Sequence, residues 1–198
     1  MRLLMIRHGR TEANERHLYC GSTDISLSER GRSELEEAGK DQKYPDITGM
    51  RIITSGKKRC DETLGLLFGK VPHETDPDFC EMDFGVFEMR SYEEMKEDPE
   101  YIAWISGDNE SNIAPGGESG KLMTERVLKG IDRLMASGRD AVLITHGGVI
   151  AAVMAYLFPE EGRNRYEWQP SYGSGYMVDT ADRTWKLIPE KREIDTIV

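Results

Sequence analysis

Positive charge is scarce in this sequence. Lys and Arg total 26 against 36 Asp and Glu, a formal net charge of −10. Nucleic-acid binders gather bases on one face to displace counterions from phosphates, so this balance argues against a nucleic-acid partner. No apolar run approaches the roughly 20 residues that a membrane span requires. Residues 3–6 (LLMI) follow a single Arg2; that is too short for a signal-peptide core, and no small-residue cleavage site follows it. A cytoplasmic chain without a membrane partner is expected. Cysteine is rare: Cys20, Cys60 and Cys80 are odd in number and lack C-x-x-C spacing. They read as free thiols rather than a disulfide frame or a zinc site. Several catalytic signatures are missing. H-E-x-x-H, an EF-hand loop and G-x-S-x-G do not occur, and Gly120-Lys121 lacks the first glycine and the Ser or Thr of a P-loop, with Pro115 and Leu122 in those places.

What is present is the composition of a globular chain, 38% hydrophobic and 31% charged over 198 residues. That length suits one domain, 1–198. Residues 3–6 are a continuous apolar run typical of a strand covered on both faces; 51–54 reads as a second strand and 140–145 as a central one. Ser26 and Glu29 stand at capping-box spacing and predict a helix running to about Gly39. Helical spacing marks residues 57–68, a segment after residue 120 with Leu122, Val127, Leu128, Ile131 and Leu134 on one stripe, and residues 147–157. Residues 176–178 and 185–188 flank a polar turn, as in a hairpin. Residues 74–100 hold 11 acids against Arg90 and Lys96 and read as loop with short exposed helices; 107–120 form a second long connection. Residues 190–198 read as a loose tail. Strands alternating with helices predict a three-layer α/β/α sandwich with a mostly parallel sheet, carrying a small cap over about 74–120. A homodimer could form through the hairpin edge.

Ligands of such sheets bind beyond the carboxyl ends of the strands. Two runs end there in the same way, Arg7-His8-Gly9 and Thr145-His146-Gly147-Gly148. Glycine lets backbone approach a bound group, and free N–H groups accept an anion. If these strands are neighbours, both imidazoles enter one pocket. Arg7, Arg10 and Arg59 lie close to these positions, and guanidinium groups grip oxyanions in fork geometry. Two alternatives stay open on residues alone: hydrogen-bonded structural histidines, and a metal site built from histidine and carboxylate.

The pattern resembles the histidine phosphatase superfamily, also called phosphoglycerate mutase-like. The blocks that carry the resemblance are Arg7-His8-Gly9 with Thr11 and Asn14; Gly21, Asp24, Leu27-Ser28 and Gly31; Ser55 through Arg59 with Thr63; Glu81-Met82-Asp83-Phe84-Gly85 with Glu88; Pro115-Gly116-Gly117-Glu118-Ser119; and His146-Gly147-Gly148. Length and the E-x-D-F-G block are most similar to alpha-ribazole phosphatases and small broad-range phosphatases. The resemblance implies hydrolysis of a small phosphomonoester, without metal or cofactor, through a phosphohistidine on His8. Arg7, Arg59 and His146 are then expected around the phosphoryl group, with Glu81 as general acid and base. Gly9, Thr11, Asn14, Cys20, Gly21 and Gly147 are expected to touch phosphate or substrate. Mutase chemistry on phosphoglycerate and a non-catalytic phosphate-binding module remain the alternatives. The sequence departs from the family pattern at Arg10, at Cys20, at Ser55-Gly56 in place of Ser-Pro, and at Phe87-Glu88-Met89 in place of W-E-G.

Overall fold

The computed structural model describes residues 1–41, 44–108 and 110–189; the tail expected over 190–198 lies outside them. Six strands form one sheet: β1 (Arg2–Arg7), β2 (Arg51–Thr54), β3 (Glu74–Thr75), β4 (Ala141–Thr145), β5 (Gly175–Asp179) and β6 (Thr184–Ile188). Their order is β3-β2-β4-β1-β5-β6. The pairings β1–β4, β2–β4 and β2–β3 are parallel, while β1–β5 and β5–β6 are antiparallel. The mostly parallel sheet and the expected hairpin are therefore both present, the hairpin forming one edge. The two-residue strand β3 went unread because it is exposed and polar, with no pattern to betray it.

Seven α-helices accompany the sheet among the described residues: α1 (Glu12–Glu15), α2 (Glu29–Asp41), α3 (Lys58–Phe68), α4 (Tyr92–Met95), α5 (Pro99–Ile105), α6 (Gly120–Ala136) and α7 (Gly147–Leu157). Side chains alternate across a strand, and the two cores follow that period. Leu3, Met5, Ala141 and Leu143 face Met123, Val127, Ile131 and Leu134 of α6 and the apolar body of α7. Leu4, Ile6, Val142 and Ile144 face Cys60 and Leu64 of α3, and α2 packs on α3. This is the expected three-layer sandwich. It explains why β1 and β4 read as unbroken apolar runs rather than alternating ones. Among the described residues no helix is long and apolar enough to cross a membrane.

Three local expectations need correction. Ser28, not Ser26, accepts the Gly31 N–H at 3.0 Å and so caps α2, which runs on to Asp41. Leu122 does not join the stripe of α6; it is 44% exposed, and Met123 takes the buried place. The stripe is set by the sheet the helix lies on, and the sequence around 122–123 offers two apolar neighbours. The acidic cap is also more than exposed helices. Phe87, Met95, Tyr101 and Ala114 form a third buried cluster, packed against Tyr19, Phe84 and Trp104.

Candidate active site

The parallel pairing of β1 with β4 sets Arg7 opposite Thr145. His8 and His146 follow these residues directly, so both leave the sheet side by side at its carboxyl edge. Their ring centroids lie 5.2 Å apart, edge to face. The His8 N–H donates to the Thr145 carbonyl at 2.9 Å, which locks the two strand ends together. Both imidazoles are buried.

The hydrogen bonds choose the tautomers. His8 Nδ1 lies 2.7 Å from the Gly9 carbonyl, which can only accept, so Nδ1 carries the hydrogen and Nε2 holds the lone pair. His146 Nδ1 faces Nη2 of Arg59 at 3.4 Å, and guanidinium can only donate. His146 Nε2–H therefore donates to Ser55 Oγ at 2.9 Å, and Ser55 passes its own hydrogen to Cys60 Sγ at 3.2 Å. Burial first, and then the Arg59 charge, hold both imidazoles well below the usual histidine range. They are neutral near pH 7. Burial likewise pushes the Cys60 thiol up to about 12, so it serves as a packed relay partner and not as a thiolate.

Two arginines bring charge to this neutral pair. Arg59, in the first turn of α3, is 1% exposed. It donates to the carbonyls of Gly21 and Thr23 at 2.7 and 2.8 Å. Arg7 donates to the Pro170 carbonyl at 2.9 Å and stacks 4.0 Å from the ring centre of Tyr172. Among the described residues neither forms an ion pair with a carboxylate, and each keeps a buried Nε–H without a partner. The N-terminus of α7, with Gly147 as its first residue, adds its partial positive charge. Two guanidinium groups without carboxylate partners and a helix N-terminus around neutral histidines make an arrangement chemically suited to an oxyanion.

Glu81 stands on the other side. Its Oε2 accepts the Gly148 N–H at 3.0 Å, and its Oε1 accepts the Met82 N–H at 3.1 Å. A β-carbon on Gly148 would come within 2.4 Å of Glu81 Oε1, so only glycine leaves room for this approach. Glu81 lines a cavity of about 400 Å³ whose wall includes Tyr19, Phe84, Trp104 and Tyr166, with Glu110 and Arg165 also on it. Of the apolar residues in the acidic segment, Met82 and Phe84 line this cavity, while Phe87 and Met95 are core.

The remaining sequence-predicted residues divide. Cys20 lines the cavity beside Glu81. Gly21 and Thr23 carry the carbonyls that seat Arg59, so Gly21 acts through its backbone. Thr11 and Asn14 form a reciprocal capping box on α1, which occupies Asn14 Oδ1 and leaves its NH2 group as the end open to a ligand. The Gly9 N–H is taken up by Thr63 Oγ1 at 2.9 Å. Arg10 pairs with Glu34 at 3.3 Å and lies over the Tyr172 ring, on which Arg7 also stacks. Among the described residues no group of three or more His, Cys, Asp and Glu is gathered as for a metal ion. Sequence reading missed the roles of Ser55, Tyr172 and the loop clamp Glu88. Glu88 receives the N–H groups of Gly21, Ser22, Thr23 and Phe84. Motif membership could have flagged Ser55 and Glu88. Tyr172 sits in an aperiodic segment with no such signal.

Comparison with known proteins agrees with this geometry. The sequence matches the histidine phosphatase superfamily (branch 1) over residues 3–189. It is 29% identical over 188 residues to the adenosylcobalamin/alpha-ribazole phosphatase of Salmonella typhimurium (strain LT2), covering 92% of each chain. The crystal structure of the alpha-ribazole phosphatase from Shigella flexneri superposes with a TM-score of 0.81 at 27% identity, covering 94% of each chain. That of a phosphoglycerate mutase from Thermus thermophilus gives 0.69 at 30% identity, covering 90% of this chain and 93% of the other. With the paired histidines, the unneutralised arginines and a match spanning nearly the whole chain, the protein belongs to the histidine phosphatase superfamily and is a phosphatase.

Proposed function

We propose that the protein hydrolyses a small phosphomonoester through a phosphohistidine formed on His8 Nε2. The observation that carries this reading is the His8 tautomer: the Nδ1 hydrogen bond to Gly9 leaves the Nε2 lone pair free, with Arg7 and Arg59 beside it. In the first step Nε2 attacks phosphorus, the P–N bond forms and the bond to the leaving oxygen breaks. Glu81 gives its hydrogen to that oxygen. In the second step Glu81 takes a hydrogen from water, the water oxygen attacks phosphorus, the P–N bond breaks and phosphate leaves. Splitting the transfer eases each displacement. Arg7, Arg59 and the first amide of α7 stabilise the oxygens as charge builds on them, while His146, with its Nε2–H given to Ser55, accepts from Arg59 and helps to seat it. The arginines supply the positive charge that the transfer requires.

The leaving group occupies the cavity beyond Glu81. Its aromatic wall suits a flat ring, and this supports alpha-ribazole phosphate, or a closely similar nucleotide, as substrate. The test is phosphate release from a panel of phosphomonoesters in excess EDTA, comparing wild type with His8→Ala. Activity that survives EDTA and disappears in the variant is expected. Release that EDTA abolishes overturns the mechanism. Conversion of 3-phosphoglycerate to 2-phosphoglycerate without free phosphate restores the mutase reading.

A further inference from the structure

We propose that Arg126 is a positioning residue for Glu81, one that governs protonation of the leaving group and not the grip on phosphate. The inference rests on the reading of Glu81 as proton donor given above.

Arg126 lies on α6, outside the lining of the cavity and without a hydrogen bond to either histidine among the described residues; its charge reaches His146 only through space. Its guanidinium uses all five N–H groups. Nε and Nη2 bind the two oxygens of Glu118, each at 2.8 Å. Nη1 donates to the carbonyls of Asp78 and Cys80 at 2.9 and 2.8 Å, and Nη2 also donates to the carbonyl of Glu81 at 2.9 Å. Glu118 in turn accepts the Asp83 N–H at 3.1 Å and returns its own N–H to the Asp83 carbonyl at 2.8 Å. The main chain from 78 to 83 is thus pinned on both sides of Glu81, from outside the pocket.

After a single 3-10 turn that ends at Phe79, residues 80–83 are aperiodic loop, which by itself does not hold a side chain to a fraction of an ångström. A proton donor has to reach the leaving oxygen within about 3 Å, so slack in its backbone reduces the rate. Only a planar five-donor fork binds three carbonyls and a carboxylate together; the ammonium of lysine has three donors at one point. The contacts of Arg126 reach Glu81 and its neighbours, while Arg7, Arg59 and His8 are held by other groups. Loss of the fork therefore weakens proton transfer selectively.

The experiment compares Arg126→Lys, Glu118→Gln and Glu81→Gln on two substrates, glycerol phosphate and 2,4-dinitrophenyl phosphate. The dinitrophenolate leaves without a proton, whereas the alkoxide needs one. kcat/KM reports the steps through phosphoenzyme formation. Glu81→Gln should lose about 100-fold or more on glycerol phosphate and under 10-fold on the dinitrophenyl ester. Arg126→Lys and Glu118→Gln should each lose roughly 10-fold on the former and under twofold on the latter. Inhibition by vanadate, which reads the phosphate grip and the fold together, should stay unchanged. Adding Arg126→Lys to Glu81→Gln should cost under twofold more, because the fork acts through a group already removed. Equal loss on both substrates by Arg126→Lys and Glu118→Gln, or additive loss in the double variant, overturns the positioning role while leaving Glu81 as donor. Equal loss on both substrates by Glu81→Gln itself overturns the donor reading, and the proposal with it.

Discussion

Arg59 and Arg10 are both arginines close to the pocket in sequence, yet their surroundings separate them. Arg59 is buried, seated by two carbonyls and free of any carboxylate partner among the described residues. Arg10 is already neutralised by Glu34, an acid it shares with Arg30. Arg59→Ala is expected to lower kcat/KM by about 100- to 1,000-fold, the range for losing one donor to a developing oxyanion. Arg10→Ala should cost less than about 10-fold, and Arg59→Lys should recover only part of the loss for want of the fork. Steady-state rates on one phosphomonoester check this; equal losses for Arg59→Ala and Arg10→Ala contradict the assignment. At this scale His8, His146 and Arg59 were legible because they sit at the ends of strongly patterned strands or at a helix start. Glu81 was not, since it is one acid among 11 in an aperiodic segment, and only motif resemblance singled it out.

Among the elements, the entry to α3 shows how a departure from the family pattern is accommodated. Gly56 replaces the usual proline and takes φ +78°, which the proline ring cannot adopt. Its N–H also donates to Thr54 Oγ1 at 3.1 Å, and a proline has no such hydrogen. Gly56→Pro is therefore expected to destabilise the protein by about 3 kcal/mol, although it restores the commoner residue. Denaturant unfolding measures this; an unchanged midpoint contradicts the backbone argument. Element identity was readable wherever period and burial agreed, as in β1, β4, α3 and α7. The start of α2 was misplaced by two residues because Ser26 and Ser28 are both competent caps, and only contact with the Arg10 carbonyl and with Gly31 distinguishes them.

For the molecule as a whole, placing two histidines in its interior ties stability to pH. Both are neutral in the folded state, with ionisation driven well below 6.5 by burial and by Arg59. Once unfolded, each takes up a proton near pH 6.5. The unfolded chain thus binds more protons below that pH, so stability falls as pH drops from about 7 toward 5 and is fully retained above it. Each group contributes a slope of about 1.4 kcal/mol per pH unit within its window. Unfolding free energies by urea at pH 7, 6 and 5 should decline accordingly, and His8→Gln should remove roughly half of that slope. A flat profile over this range contradicts neutral burial. The carboxylates whose ionisation is favoured by partners, such as Glu34 and Glu118, lose their contribution only at lower pH.

The same whole-molecule view separates what local pattern determines from what packing decides. Apolar runs, helical periods and strand-end His-Gly pairs are short-range properties, and they were enough for the α/β class, the order of most elements and the two histidines. Adjacency is long-range. That β1 pairs with β4, bringing His8 against His146, follows from burying both faces of the sheet at once, and no local stretch encodes it. Tautomers, the seating of Arg59 by the loop that Glu88 holds, the turn of Arg10 toward Glu34 and the Arg126 fork behind Glu81 all depend on hydrogen bonds between residues far apart in the chain. Such bonds form only after the core has fixed the distances, so tertiary structure alone decided them.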